Sequence, residues 1–119
     1  MKILICGSRF YKNYIKIYYY IKRLQEKCDD LTIIEGGARG ADRLARNACI
    51  SLEIEYKEYK ANWDKYGKAA GPIRNQKMLD DNPDLDLVVS FHENINNSKG
   101  TKDMLNKARK KGIRVEKYL

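Results

Sequence analysis

Long apolar runs, prolines and histidines are what this chain of 119 residues has least of. No stretch approaches the ~20 consecutive apolar residues of a membrane-spanning helix, and the start "MKILICGSRF" carries no signal-peptide apolar region of the usual length. It reads instead as the first strand of a cytoplasmic protein with no membrane partner. Only 2 prolines interrupt the chain, no low-complexity tract or repeat is visible, and 43% of the residues are hydrophobic, which argues against disorder. The length predicts one domain over 1–119, able to bury roughly two-thirds of its unfolded surface. The three cysteines, Cys6, Cys28 and Cys49, are odd in number and widely spaced, so buried reduced thiols are expected rather than a disulfide framework. His92 is the only histidine and has no Cys or His cluster beside it, so neither a zinc site nor a Ser-His-Asp arrangement is expected. No glycine loop ends in lysine followed by Ser or Thr, which excludes a P-loop, and "GSR" is not the dinucleotide fingerprint GxGxxG. No metal and no resident cofactor is implied.

What the chain does have is alternation. "KILIC" (2–6), "LTIIE", "IEYKEY", "LDLVVSF" and "IRVEKYL" read as strands, most of them short apolar runs suited to a sheet buried on both faces. Between them, Tyr14, Ile17, Tyr18, Ile21, Leu24 and Cys28 recur at helical spacing, leaving Tyr19 and Tyr20 off the stripe, either to cover a partner or to lie on the surface. Ala41, Leu44, Ala45, Ala48, Cys49 and Leu52 make a narrow small-residue helix face. A loop over "KANWDKYGKAA" leads to a helix opened by Gly71 and Pro72 and closed by Asn82 and Pro83. "HENINNSKG" reads as a polar loop, and "TKDMLNKARKK" as a helix ended by Gly112. Strand and helix in turn select an α/β fold: a Rossmann-like three-layer sandwich with an open parallel five-stranded sheet flanked by helices. Ligands of such sheets bind beyond the carboxyl ends of the strands, where strand order reverses.

Three segments follow strand ends: "CGSRF", with Gly7, Ser8 and Arg9; "EGGARGADR"; and "FHENINNSKGTKD". Gly36, Gly37 and Gly40 let backbone approach a ligand and deliver the first amides of a helix, an anion site. They serve equally as a tight turn, with Arg39 paired to Asp42. Gly100 and Thr101 repeat the arrangement, the Ser98 and Thr101 hydroxyls acting as caps or as ligand groups. Arg74 is placed in the first turn of its helix, where the dipole disfavours a cation unless it serves an anion or a carboxylate such as Asp64. Trp63 flanks a base or ribose, or anchors a long loop. The formal net charge of +8 invites nucleic acid as a partner through counterion release, although most lysines fall on helix faces that meet water.

In this order and spacing, "GSR", "GGARGAD", "NWDKYGKAAGPIRNQKM" and "SKGTKDM" resemble the YspA-like, cpYpsA-related branch of the SLOG superfamily over nearly the whole chain. That superfamily includes the Lonely Guy phosphoribohydrolases and DprA. The resemblance implies a Rossmann-like domain that binds nucleotides, their derivatives or nucleic acid, and a homodimer or higher homo-oligomer. It implies phosphate contacts from Gly36, Gly37, Arg39 and Gly40, with Ala38 and Asp42 in the same motif, and a second motif at Ser98, Gly100 and Thr101. Asn75 and Asp64 fall in the long middle motif. Arg74 matches the arginine that assists loss of the base in the Lonely Guy enzymes. The partnering glutamate position is Met104, with Asp103 one residue early and so rotated by about 100° around the helix. Arg74 and Asp103 are therefore the catalytic candidates of a chain expected to bind without cutting. N-glycosidic cleavage passes through a cationic ribosyl centre that needs a carboxylate, for which Asp42, Asp64 and Asp103 are available. Three functions follow as expectations: a sensor or sequestering protein for a nucleoside phosphate or ADP-ribose-like ligand, a nucleotide phosphoribohydrolase, or a DprA-like binder of single-stranded nucleic acid.

Overall fold

A computed structural model describes residues 1–95 and 98–119. The strands β1 (Lys2–Gly7), β2 (Thr32–Glu35), β3 (Glu55–Glu58), β4 (Leu87–Phe91) and β5 (Val115–Tyr118) form one sheet in the order β3-β2-β1-β4-β5, every pair parallel. The helices are α1 (Tyr14–Lys27), α2 (Ala41–Leu52), α3 (Trp63–Tyr66), α4 (Ala70–Asp81) and α5 (Lys99–Lys110), with a 3-10 turn at Gly67–Ala69. The expected Rossmann-like architecture is present, and strand order reverses between β1 and β4.

Side-chain alternation along the central strands divides the core in two. Ile3, Ile5, Ile33, Val89 and Phe91 meet α1 and α2 on one face; Leu4, Cys6, Ile34 and Val88 meet α4 and α5 on the other. Each large side chain fully buried this way stabilises the fold by about 1.5–3 kcal/mol. The small face of α2 is realised by Ala41, Ala45, Ala48 and Cys49, all without exposed surface. Cys6 and Cys49 are buried free thiols and Cys28 is half-buried; burial pushes Cys49 up to about 12.

Three expectations change. The segment 63–69 is helical rather than loop because the Asn62 side chain accepts the Lys65 amide at 3.1 Å, an N-cap that starts α3. The next helix begins at Ala70, so Pro72 falls within its first turn, where a missing amide is tolerated, and Arg74 falls just beyond that turn. Tyr20 is no partner surface: its ring lies 5.5 Å from both Phe91 and Tyr118, and its hydroxyl donates to Glu116 at 3.1 Å. Tyr19 remains exposed. Of the polar loop over 92–100, residues 96 and 97 lie outside the described part. No helix is long and apolar enough to cross a membrane among the described residues.

Candidate functional site

A cavity of about 800 Å³ opens at the carboxyl ends of β1 and β4, where the strand order reverses. Six segments wall it: the turn after β1 with Gly7, Ser8 and Arg9; the turn from β2 into α2 with Ala38 and Asp42; Trp63 and Lys68 of the segment 63–69; one side of α4; the turn after β4 with His92, Glu93 and Asn94; and the start of α5. Of the residues singled out by sequence, Gly7, Ser8, Arg9, Ala38, Asp42, Trp63, Arg74, Asn75, Ser98, Gly100, Thr101 and Asp103 line this cleft. Gly36, Gly37, Arg39, Gly40 and Asp64 are not among its lining residues. Cys6, Phe10, Lys68, His92, Glu93 and Lys99 line it although sequence reasoning did not single them out as site residues. Position was the available signal for His92 and Glu93, since they directly follow a central strand.

The glycine turn after β2 is built around protein groups. The Gly37 amide donates to Glu35 at 2.7 Å, the Ala38 amide to Asp42 at 3.3 Å, and the Ala41 amide to the Ser8 carbonyl at 3.0 Å. Gly40, at φ +77°, brings the turn so close to the 8–9 backbone that a Cβ there would sit 2.1 Å from the Ser8 carbonyl oxygen. Gly36 makes room for Arg74, whose guanidinium donates to the Gly36 carbonyl and, through Nε, to Asn75 Oδ1 at 3.0 Å. Arg74 thus faces Asp42 and Gly36 rather than Asp64, and Arg39 is exposed, with no ion pair to Asp42 among the described residues. Desolvation pushes Asp42 up to about 6, opposed by the Arg74 charge and by the Ala38 and Gly36 amides. Across β2 and β3, in register, burial raises the Glu35 carboxyl, whereas the neighbouring Glu35 carboxyl and the Arg46 and Lys60 charges lower Glu58.

The start of α5 is different. Ser98 caps it by accepting the Thr101 amide at 3.2 Å, while the Lys99 and Gly100 amides have no acceptor among the described residues. A Cβ on Gly100 would meet nothing within 4 Å. This helix end faces open space, with about half a positive charge on its amides. Opposite, the Arg9 guanidinium lies 5.3 Å from the centre of the Trp63 ring, which is 47% exposed.

Three carboxylates share the cleft, each already occupied. Besides Asp42, Glu93 accepts the Ser8 hydroxyl at 2.7 Å, which holds it below the usual carboxylate range. Asp103 accepts from Lys107 at 2.8 Å and from Asn75 at 3.1 Å. Met104, where the Lonely Guy enzymes carry a glutamate, is 1% exposed, packed against the core and bordering the cleft. His92 accepts the Asn94 amide on Nδ1 at 2.8 Å, so the neutral ring carries its proton on Nε2. No group of three or more potential metal-ligating side chains occurs among the described residues.

A doubly wound parallel sheet with a cleft at its switch point defines a Rossmann-like α/β domain. The comparisons narrow this class. The chain belongs to the YspA, cpYpsA-related SLOG family, whose sequence profile matches residues 1–66. It is 30% identical to the gene 61 protein of Mycobacterium phage D29 over 96% of this chain and 93% of that one. Among solved structures, the C-terminal domain of a Pyrococcus furiosus hydrogenase superposes with a TM-score of 0.55 at 15% identity, covering 99% of this chain and 90% of that domain. At that identity the likeness speaks for the fold alone.

Proposed function

We propose that the protein binds a nucleoside phosphate or nucleotide-derived ligand in the switch-point cleft, as a sensor or sequestering protein. The observation that carries this is the contrast between two helix starts on one sheet edge. The amides around the start of α2 are largely spent on Glu35, Asp42 and Ser8, whereas the Lys99 and Gly100 amides of α5, beside the cleft, have no acceptor among the described residues. A phosphate fits the α5 end, with the Arg9 and Lys99 charges beside it and the half-exposed Trp63 ring available to a base or ribose. Family membership and fold accord with a nucleotide-related role. Calorimetric titration with AMP tests the reading: saturable heat is expected, and Arg9→Gln should weaken binding about tenfold, the worth of one charge-assisted hydrogen bond. No heat with AMP, nicotinamide or flavin nucleotides would remove it.

A second reading, hydrolysis of an N-glycosidic bond, rests on the three carboxylates in the same cleft. Binding without turnover is favoured because Asp42, Glu93 and Asp103 are each held by donors of the protein itself, and Met104 leaves the position of the Lonely Guy glutamate apolar. Release of free adenine from AMP at high protein concentration is therefore expected to match buffer alone. Turnover that disappears in Asp103→Asn would establish the enzyme instead.

A further inference from the structure

We propose that the ligand continues past Arg9 and Phe10 into a second, basic groove, so that the protein takes two nucleotide units joined through phosphate. This rests on the nucleotide reading of the cleft and names the second half of its ligand. The groove encloses about 320 Å³ and is walled by Lys12 on one side and by Gly40, Arg43, Leu44 and Asn47 at the start of α2 on the other. Arg9 and Phe10 line both cavities, so the two adjoin along a single short stretch of chain. Both volumes lie within the range of about 300–1,000 Å³ usual for small-ligand sites.

Charge decides what the groove fits. Arg9, Lys12 and Arg43 gather there with no carboxylate among the lining residues, and none of the three is in an ion pair among the described residues. The two residues outside the described part are asparagines and carry no charge. Three cations held together without a counter-charge repel one another, and a bridging phosphate relieves that repulsion. Phe10, at the border of the two cavities, is 73% exposed and presents its ring to both. A nucleobase stacks on such a ring regardless of its identity, and the Asn47 amide and Leu44 side chain supply one polar and one apolar contact beside it. A mononucleotide in the cleft engages Arg9 but leaves Lys12, Arg43, Leu44 and Asn47 unused.

The test compares AMP with the 5′-phosphorylated dinucleotide pApA by calorimetry, on the wild type and on the double variant Lys12→Gln, Arg43→Gln. Both side chains are exposed, so the variant should fold as the wild type does, which its thermal midpoint checks. pApA is expected to bind at least about tenfold more tightly than AMP, and the double variant to lose that gain while keeping its affinity for AMP. The gain should shrink as salt is raised. A longer oligo(A) strand should bind no more tightly than pApA; much tighter binding would replace the two-unit ligand with a single strand. Equal affinities for AMP and pApA, or a double variant that weakens both alike, would overturn the proposal while leaving the cleft's nucleotide reading intact. If neither ligand binds, both fall together.

Discussion

Asp42 sits almost fully buried between the Ala38 amide and the Arg74 guanidinium, and desolvation outweighs both, holding its carboxyl at about 6. The folded state therefore binds this proton more tightly than the unfolded chain does. The sign follows: Asp42 contributes stability that is fully present below the ordinary carboxylate range and is lost as pH rises through about 6. Asp42→Asn should flatten the fall in urea-unfolding free energy between about pH 4 and pH 6, by about 2–3 kcal/mol. An unchanged profile would mean that Asp42 is not the group responsible. Gly40 gives a second residue-scale prediction, because its positive φ and the Ser8 carbonyl together leave no room for a side chain. Gly40→Ala should cost about 3 kcal/mol or more, read from the same unfolding curves. Sequence marked these glycines, and it raised an acidic or anionic partner for Arg74 on a first-turn placement that the helix start at Ala70 does not keep. It could not show that Arg74 turns to the Gly36 carbonyl, near Asp42, since Arg39 and Arg74 are equally cationic and only the chain's path turns one inward and leaves the other exposed.

At the scale of elements, the two helix starts have opposite fates. The α2 start nests against the turn after β1 and carries its own carboxylate; the α5 start stands open. Gly100→Ala separates structure from binding there, since a methyl group meets no atom and removes the backbone freedom of a helical glycine. Stability should rise by up to about 1 kcal/mol while AMP affinity falls several-fold. Unchanged affinity would exclude a phosphate packed directly against the Gly100 backbone. Elements were legible where period alone decides: the apolar runs of β1, β2 and β4, and the stripe of α1 that buries Ile17 and Ile21. They were not legible where a distant strand completes the contact. Tyr20 lies beside the helix stripe, and the Phe91 ring of β4 with the Tyr118 ring and Glu116 carboxylate of β5, about 70 to 100 residues on, half-bury it. That Met104 stands where the Lonely Guy enzymes carry a glutamate was visible in sequence; in the structure Met104 is buried against the core and borders the cleft, with Asp103 beside it on the same wall.

For the whole molecule, alternation of strand and helix foretold the parallel sheet, and the rule for such sheets foretold which edge to inspect. Strand order, and with it the reversal between β1 and β4, required the three-dimensional arrangement. That reversal is what brings "GSR", Arg74 and "SKGT" around one cavity and adds His92 and Glu93, whose chemistry no spacing advertised. The net charge of +8 likewise acquires a location, since the cleft and its neighbouring groove share Arg9 and gather Lys12, Arg43, Lys68 and Lys99. Trp63, the only tryptophan in the chain, lines that cleft half-exposed beneath Arg9 and so reports directly on its occupancy. The most direct test of nucleotide binding is therefore a fluorescence titration with AMP. A saturable change in Trp63 emission, shifted to higher AMP concentration by Arg9→Gln, is the predicted result; emission indifferent to AMP at every concentration would contradict it.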